Sequence, residues 1–214
     1  GSFIETYRGI HKTSKEILSI HVSSKLSGTV NSATQAAAEE NLVSSIEIID
    51  SWQASIGLGF SVIAAAKAAQ EGASLEKAAA EARSVLSRTH VYILFDTLKY
   101  LERGGRIGKA SALLGSIMRI KPILTLAEGE IGTALKVRTY RKGIESLKQI
   151  VSGLGKLDAA AILHTTTEDA AQNLAGELDN PFKNGAKPLT VRLSPAIGVH
   201  GGPGVLGIVC VTSK

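Results

Sequence analysis

The sequence predicts an α/β fold in two parts: a parallel-sheet α/β domain at residues 1–89, followed by a mixed α+β domain at residues 90–214. Apolar runs of strand length alternate with longer segments of helical period, which is typical of α/β proteins. The chain has 214 residues, of which 44% are hydrophobic and 20% charged. This balance excludes a disordered chain, and the length suffices for one large or two small domains.

The first domain is predicted to be a small parallel sheet covered by helices. Short β-branched runs at residues 17–22 and 46–49 indicate buried parallel strands, and residues 29–41 between them favour a helix. Two alanine-rich helices follow at residues 58–70 and 75–86. Their small side chains allow close packing against a sheet.

A helix at residues 3–11 opens the sequence, and no strand precedes it. A strand, helix, strand layer normally continues from an earlier strand. We therefore expect the first domain to lack its first strand and material to be missing at the N-terminus. Gly1 and Ser2 are assigned no function.

The second domain is predicted to combine strands, helices and one β-hairpin. The hairpin has a turn at residues 128–132 between strands at 123–127 and 135–139. The other predicted elements are strands at 91–95, 159–164, 189–193 and 205–211, and helices at 97–103, 109–118, 143–154 and 168–178.

Charge and cysteine content narrow the classes of function. The formal net charge is +5, a modest excess that favours contact with an anionic ligand, a protein partner or, transiently, an anionic membrane. The basic residues are scattered and only 4% of residues are aromatic, so no nucleic-acid partner is expected. The single cysteine, Cys210, excludes an internal disulfide and is expected to be buried. With no apolar stretch long enough to span a bilayer, a cytoplasmic location is expected.

The first candidate site is the polar turn at residues 23–29, which follows one predicted strand and opens a helix. Ligands of open α/β sheets bind outside the carboxyl ends of strands, and a helix start favours anions. Ser24, Ser27 and Gly28 offer hydroxyl and amide donors that suit a carboxylate or phosphate oxygen. The alternative is that Ser27 merely caps the helix.

The second candidate site is residues 198–204, predicted as a glycine-dense loop between two strands with His200 at its centre. Glycines such as Gly201 allow the backbone to approach a ligand closely, and His200 can donate a hydrogen bond near neutral pH. The alternative is a structural histidine. The segment lacks the lysine and hydroxyl residue of a nucleotide phosphate loop.

The third candidate site is residues 101–107, where Arg103 and Arg106 flank a double glycine. An arginine fork can hold the oxygens of a ligand or of an acidic partner surface. A solvated helix C-terminus is the equal alternative. His21 and His164 lie in apolar strands and are expected in the core.

Several catalytic signatures are missing from the sequence. It has no Gly-x-Ser-x-Gly elbow, no HExxH, no metal-spaced acidic cluster and no nucleotide loop. No metal or cofactor is therefore expected. Asp50 and Asp96 follow strands, but no spacing ties either of them to His200.

With these residues placed, the chain resembles the DegV family, bacterial fatty-acid-binding proteins that serve fatty acid kinase. The matching segments are ILSIHVSSKLSGTVNSA, IIDSWQASIGLGF, LKYLERGGRIGKASALLGSIMRIKPIL and SPAIGVHGGPGVLGIV, in order at residues 17–33, 48–60, 98–124 and 194–209. The family's threonine-containing TTSQP-type segment and the acidic motif of its first strand have no counterpart here.

The resemblance implies a two-domain protein that holds a long-chain fatty acid between its domains, with the tail in an apolar tunnel. Ser27 of the SGT turn and His200 of the HGGPG segment would hold the carboxylate, with the Gly28 amide nearby. Arg106 would belong either to the rim of the head-group site or to the contact with a fatty acid kinase subunit.

The resulting interpretation is a fatty-acid carrier for a kinase in phospholipid synthesis, without catalytic activity of its own. Neutral donors leave a carboxylate nucleophilic, whereas a buried arginine would quench it. The main alternative is a serine hydrolase or acyltransferase with Ser27 as nucleophile and His200 as base. A nucleotide-binding regulator is disfavoured because the phosphate-binding motif is missing.

Overall fold

The computed structural model describes residues 1–40, 42, 43, 45–178 and 187–214, with the backbone alone at residues 116–119. It divides into two compact units. The first comprises Gly1–Ala54 and Leu58–Ser87, and the second comprises Ser55–Gly57 and Arg88–Lys214.

The first unit is a two-stranded parallel sheet with helices on both faces. Its elements are α1 (Ser2–His11), β1 (Ile17–His21), α2 (Thr29–Glu39), β2 (Ile46–Asp50), α3 (Ser55–Gln70, whose first turn groups with the second unit) and α4 (Leu75–Leu86). Ile17 pairs with Ile46 and His21 pairs with Asp50. Both strands therefore end at the same edge of the sheet.

Apolar residues cover both faces of this small sheet. One face is buried under α1 and α2 and the other under α3 and α4, where alanines allow the helices to lie close to the strands. The first cluster contains Tyr7, Ile17, Ala33, Ala36, Ala37 and Ile46, and the second contains Ile49, Ala65, Ala79 and Ala82. Burial on both faces explains why these strands read as continuous apolar runs.

The second unit is a six-stranded mixed sheet in the order β5-β4-β3-β8-β6-β7. Its strands are β3 (Thr89–Leu94), β4 (Lys121–Ala127), β5 (Glu130–Val137), β6 (Leu157–His164), β7 (Leu189–Arg192) and β8 (Leu206–Thr212). Its helices are α5 (Lys99–Arg103), a 3₁₀ helix (Gly108–Arg119), α6 (Tyr140–Gly153), α7 (Glu168–Glu177) and α8 (Pro195–Gly201).

Among the described strands of this sheet, β6 and β7 run parallel, and the other four pairings are antiparallel. The core between the sheet and its helices includes Leu94, Ile123, Leu147, Ile162 and Ile208, all fully buried. Cys210 is fully buried in the same cluster, as predicted.

The structure corrects three details of the predicted second domain. The segment predicted as a helix at 109–118 is a 3₁₀ helix over Gly108–Arg119. The hairpin turn is limited to Glu128 and Gly129, both with positive φ (53° and 78°), and β5 already begins at Glu130. This conformation is that of a tight two-residue hairpin turn.

The third correction concerns the segment at 198–204. Residues Pro195–Gly201 form α8, so His200 lies in the last turn of a short helix and not in a loop. Proline in the first turn favours the start of a helix. The helix was not predicted because the segment is rich in glycine, which has a low helical propensity. The loop proper begins at Gly202, whose φ is 75°. Within the described ranges, no helix is both long and apolar enough for a bilayer span.

Candidate functional site

The polar turn after β1 is held in place by the loop that follows β2. The Ser23 amide donates to the Gln53 carbonyl at 2.9 Å, and the Ser24 amide donates to Asp50 Oδ1 at 3.2 Å. The Ser51 hydroxyl donates to the His21 carbonyl at 2.6 Å. These bonds join the carboxyl ends of two parallel strands, which is where an open sheet of this kind binds ligands.

Ser27 lies one residue before the N-cap of α2. The N-cap is Gly28, which has no side chain to cap the helix. The Ser27 hydroxyl is 2.6 Å from Thr29 Oγ1 and accepts from the Thr29 amide at 3.3 Å. The capping alternative thus holds only in part, since Ser27 supports the turn without occupying the cap position. Ser24 and Gly28 are exposed and Ser27 is half-buried.

The loop after β2 contains residues that sequence reasoning did not single out. Gln53 is 94% buried, with 6% of its surface exposed, and its Oε1 has no hydrogen-bond partner among the described residues. Trp52 has a φ of 52° and is half-exposed, and strained backbone of this kind clusters at functional sites. Their position just after a strand end, at the same edge as Ser23–Ser27, was the signal available in the sequence.

In the second unit, the structure brings together the second and third candidate segments. Gly104 follows α5, and a Cβ at this position would overlap the His200 ring. The glycine of the GGR motif is therefore the residue that makes room for the imidazole. His200 is half-buried, and its Nδ1 is buried without a hydrogen-bond partner among the described residues.

Two further glycines shape the surroundings of His200. A Cβ on Gly202 would overlap the Tyr100 ring, and φ at this glycine is 75°. Gly204, also at φ 75°, would bring a Cβ within 3.0 Å of Asp96 Cβ, and its amide donates to Thr166 Oγ1 at 3.1 Å. The glycine-rich sequence is thus explained by ring packing and by backbone conformation.

Arg106 and Gly201 occupy different environments in this cluster. Arg106 is exposed, and its Nη1 donates to the Gly104 carbonyl at 2.8 Å. The guanidinium thus belongs to the turn that packs against His200. Gly201 is buried, and a Cβ there would lie 3.2 Å from Val205 Cγ2, so it permits close packing of α8.

A cavity of about 730 Å³ adjoins α8 within the second unit. It lies at the carboxyl ends of the parallel pair β6 and β7, and its lining includes Tyr100, Thr165, Arg192, Ser194, Val199 and Gly202. Its volume is within the range of ~300–1,000 Å³ that is usual for small-molecule sites. The wall is mostly apolar, with hydroxyls and one guanidinium as polar groups.

The two strand histidines are buried, as the sequence predicts. His21 Nε2 is 2.8 Å from Ser19 Oγ, and the Tyr7 hydroxyl lies 2.8 Å from the same oxygen. Burial lowers the pKa of His21 below its ordinary value, because the charged imidazolium is disfavoured away from water. His164 is 3% exposed.

Burial also determines the chemistry of the single thiol. It raises the pKa of Cys210 to about 12, so the thiol stays protonated and unreactive at neutral pH. Among the described residues, no group of three or more His, Cys, Asp or Glu side chains is placed to hold a metal ion.

Comparison with known proteins identifies the family. The model of the family described as "Uncharacterised protein, DegV family" matches residues 1–213. The chain belongs to the DegV family. The resemblance inferred from the four sequence segments is thereby confirmed.

Individual DegV relatives match almost the whole chain. A DegV domain-containing protein of Streptomyces coelicolor is 38% identical over 211 residues, covering 97% of this chain and 74% of the relative. A solved DegV family protein from Thermus thermophilus, described as binding a fatty acid, is 34% identical with a TM-score of 0.87, covering 99% of this chain and 76% of that one. DegV of Bacillus subtilis, described as a fatty acid binding protein, is 28% identical with a TM-score of 0.83, covering 99% and 76%.

The DegV segments fall on the polar positions described above. The segment at 17–33 contains β1, the Ser27 turn and the start of α2, and the segment at 48–60 contains Gln53. The segments at 98–124 and 194–209 contain Gly104 and His200, which pack together in the second unit. Ser27 is in the first unit, and His200, Gly201 and Arg106 are in the second.

Proposed function

We propose that this DegV chain binds one long-chain fatty acid and presents its carboxylate to a fatty acid kinase for conversion to acyl phosphate. The observation that carries the proposal is the Thermus thermophilus relative, which is 34% identical over 99% of this chain and is described as binding a fatty acid. The Bacillus subtilis relative supports the same ligand class.

The head-group site is assigned to Ser24, Ser27 and Gly28 in the first unit and to His200 and Gly201 in the second. The first set offers hydroxyls and backbone amides at the start of α2, whose N-cap Gly28 has no side chain, and such a position favours an anion. The second set offers an imidazole whose Nδ1 is buried without a partner among the described residues. These groups are all donors that carry no permanent charge.

Neutral donors suit the proposed reaction. A carboxylate oxygen of the bound acid attacks the terminal phosphorus of ATP held by the kinase, ADP leaves, and the acyl phosphate remains. Hydrogen bonds from neutral groups orient the oxygen without removing its electron density as a tight guanidinium pair does. This chain forms and breaks no bond itself in that scheme.

The tail is assigned to an apolar tunnel. Each buried methylene contributes about 0.8 kcal/mol, so a long acyl chain supplies most of the affinity. The head group then needs few polar contacts, and their purpose is to position the reacting oxygen.

Arg106 is assigned to the rim of the head-group site or to the contact with the kinase subunit. Its guanidinium is exposed and lies on the turn that packs against His200, and either role is consistent with this position. We further propose a cytoplasmic protein that contacts anionic membrane only transiently, and no nucleic-acid partner is included.

Extraction of the purified protein with organic solvent, followed by mass spectrometry, tests the ligand class. We expect a long-chain fatty acid in the extract, and saturable binding of added palmitate by delipidated protein. Absence of both would overturn the proposed function.

Two pairs of variants test the head-group assignment. We expect Ser27→Ala and His200→Ala each to weaken palmitate binding about tenfold, the loss expected for one hydrogen bond to a charged group, and to slow acyl phosphate formation by an added fatty acid kinase. Ser74→Ala and His11→Ala are matched controls, because Ser74 also begins a helix and His11 also lies in the last turn of one. Unchanged phosphoryl transfer in both test variants would contradict the assignment.

Arg106→Ala separates its two possible roles. Normal palmitate binding with slower phosphoryl transfer would place Arg106 at the kinase contact, and weaker binding would place it at the head group.

The alternative of a serine hydrolase is tested with the same protein. The Ser27 hydroxyl is hydrogen-bonded to Thr29, whose hydroxyl is not a general base at neutral pH. Labelling of Ser27 by a fluorophosphonate probe would support the hydrolase against the carrier.

A further inference from the structure

A compact group of basic residues lies at the end of β5 and the start of α6, two elements that contain none of the residues assigned above. Lys136, Arg138, Arg141 and Lys142 are all exposed. None of the four forms an ion pair with another described residue, whereas Lys109, Lys121 and Lys148 of the same unit do. Four unneutralised cations within seven residues create a local positive field.

Three of them, Lys136, Arg138 and Lys142, border a cleft of about 600 Å³. One wall is the end of the edge strand β5, with Lys136, Val137 and Arg138. The other wall is one face of α6, where Lys142, Ser146 and Gln149 follow one another at helical spacing. The cleft therefore combines cations with a hydroxyl and an amide donor.

The acid in the cleft lining, Glu145, does not neutralise these cations. Its carboxylate pairs with Lys148 Nζ at 2.8 Å, and Lys148 also reaches Glu177 at 3.0 Å. Glu145 is thus engaged along α6, and Lys136, Arg138 and Lys142 remain the charged groups available to a ligand.

We propose that this cleft binds the phosphate group of a small phosphomonoester or of a phospholipid head group. Arginine presents a planar fork that matches phosphate oxygens, and lysine adds a mobile charge. A cleft of this volume holds more than the phosphate alone, since small-molecule sites occupy ~300–1,000 Å³. The proposal does not depend on fatty-acid binding.

A different reading is that the cations only protect the exposed edge of β5 from pairing with another chain. Lys136 lies on that strand and suits this role. Arg141 and Lys142 lie on α6, however, and the hydroxyl and amide of the cleft contribute nothing to edge protection.

Titration with inorganic phosphate, followed by amide chemical shifts, tests the proposal. We expect saturable shifts confined to residues 136–149, and about tenfold weaker binding in the variant Lys136→Gln/Arg138→Gln/Lys142→Gln. The matched control is Lys12→Gln/Lys67→Gln/Lys77→Gln, which removes three exposed positive charges from the first unit. Amide spectra outside the cleft verify that both variants are folded.

Absence of saturable shifts in the unaltered protein would overturn the proposal, as would equal weakening in both variants. Self-association of the cleft variant without any phosphate site in the parent would assign the cations to edge protection.

Vesicles distinguish the two sources of the phosphate. Sedimentation with phosphatidylcholine vesicles containing phosphatidic acid, lost in the cleft variant and kept in the control, would identify a lipid head group. Phosphate binding without vesicle binding would identify a soluble phosphomonoester. Unchanged palmitate binding by the cleft variant is expected in either case, which separates this site from the proposed fatty-acid site.

Discussion

The two units hold their polar site residues by different physical means. In the first unit, backbone and side-chain hydrogen bonds join the loops after β1 and β2, and Asp50 accepts from both the Ser24 and Trp52 amides. In the second unit, glycines make room for rings, with Gly104 against His200 and Gly202 against Tyr100.

This difference predicts where each unit is sensitive to substitution. A Cβ at Gly28, beside Ser27, would meet nothing within 4 Å, so the turn of the first unit has steric freedom. The second unit has none at Gly104 or Gly202, because any side chain there displaces a ring. We therefore expect substitutions of Gly104 and Gly202 to be severe and a substitution of Gly28 to be mild.

The largest effect is expected for Gly202→Ala. The new methyl group would overlap the Tyr100 ring. Alanine would also have to adopt a φ of 75°, at which non-glycine residues are strained. We expect the free energy of unfolding to fall by about 3 kcal/mol, measured by urea denaturation.

Gly198→Ala is the matched control, because Gly198 lies in α8, the helix that Gly202 ends, and its Cβ would meet nothing within 4 Å. Alanine is the better helix former, so we expect this variant to be unchanged or slightly more stable. Equal losses in the two variants would show that ring packing is not what requires glycine at 202.

Gly104→Ala is expected to have the next largest effect. Its φ of −78° is compatible with alanine, so the penalty comes from displacing the His200 ring, and the free energy of unfolding should fall by about 1–2 kcal/mol.

The corresponding substitution in the first unit, Gly28→Ala, should lower the free energy of unfolding by only about 0.5 kcal/mol, as expected for an N-cap change without a clash. Urea denaturation of both variants compares the two units directly.

Gly104→Ala also tests whether the His200 ring contacts the head group. If the imidazole holds the head group, Gly104→Ala should also weaken palmitate binding, because the ring is moved. Normal binding with reduced stability would contradict that position for the ring.

Local signals made much of the fold predictable from the sequence. The bounds of α4 were predicted as residues 75–86 and are Leu75–Leu86, because Ser74 supplies a cap and alanines mark the buried face. Strand β1 was predicted one residue too long, since the apolar run continues to Val22 beyond the ladder.

Features that depend on tertiary contacts were not predictable in this way. The helix α8 was hidden because glycines at 198 and 201 have low helical propensity. Gly104 and His200 are brought together by packing of α5 on α8, and no spacing in the sequence expresses that contact. Gln53 was missed because its burial without a partner for Oε1 is a property of the folded loop.

A smaller effect is expected from pH, again with one group in each unit. Burial lowers the pKa of His21 in the first unit and of His90 in the second. Below the ordinary pKa of about 6.5, the unfolded chain binds protons that the folded chain does not. The contribution of these two histidines to the free energy of unfolding should therefore be fully present above pH 6.5 and should be lost as the pH falls below that value.

Thermal unfolding between pH 8 and pH 5 measures this dependence. We expect His21→Gln to reduce this dependence and to leave the part that is due to His90. His11→Gln is the control, because His11 is an exposed histidine of the same unit. A profile that is identical in both variants would show that His21 is not responsible for the acid sensitivity of the first unit.

The smallest effect on stability is expected for Ser27→Ala. Ser74 is the N-cap of α4 and accepts from the Lys77 amide, so Ser74→Ala should lose about 1 kcal/mol. Ser27 lies before the N-cap Gly28, and its hydroxyl is 2.6 Å from Thr29 Oγ1 and accepts from the Thr29 amide at 3.3 Å. Because both contacts are to one residue of the exposed turn, we expect a loss of about 0.5 kcal/mol or less. Urea denaturation of the two variants distinguishes a structural role of the Ser27 hydroxyl from a role in ligand binding. A loss as large as that of Ser74→Ala would make its hydroxyl a structural group, whereas a small loss with weaker palmitate binding would leave the ligand as its principal partner.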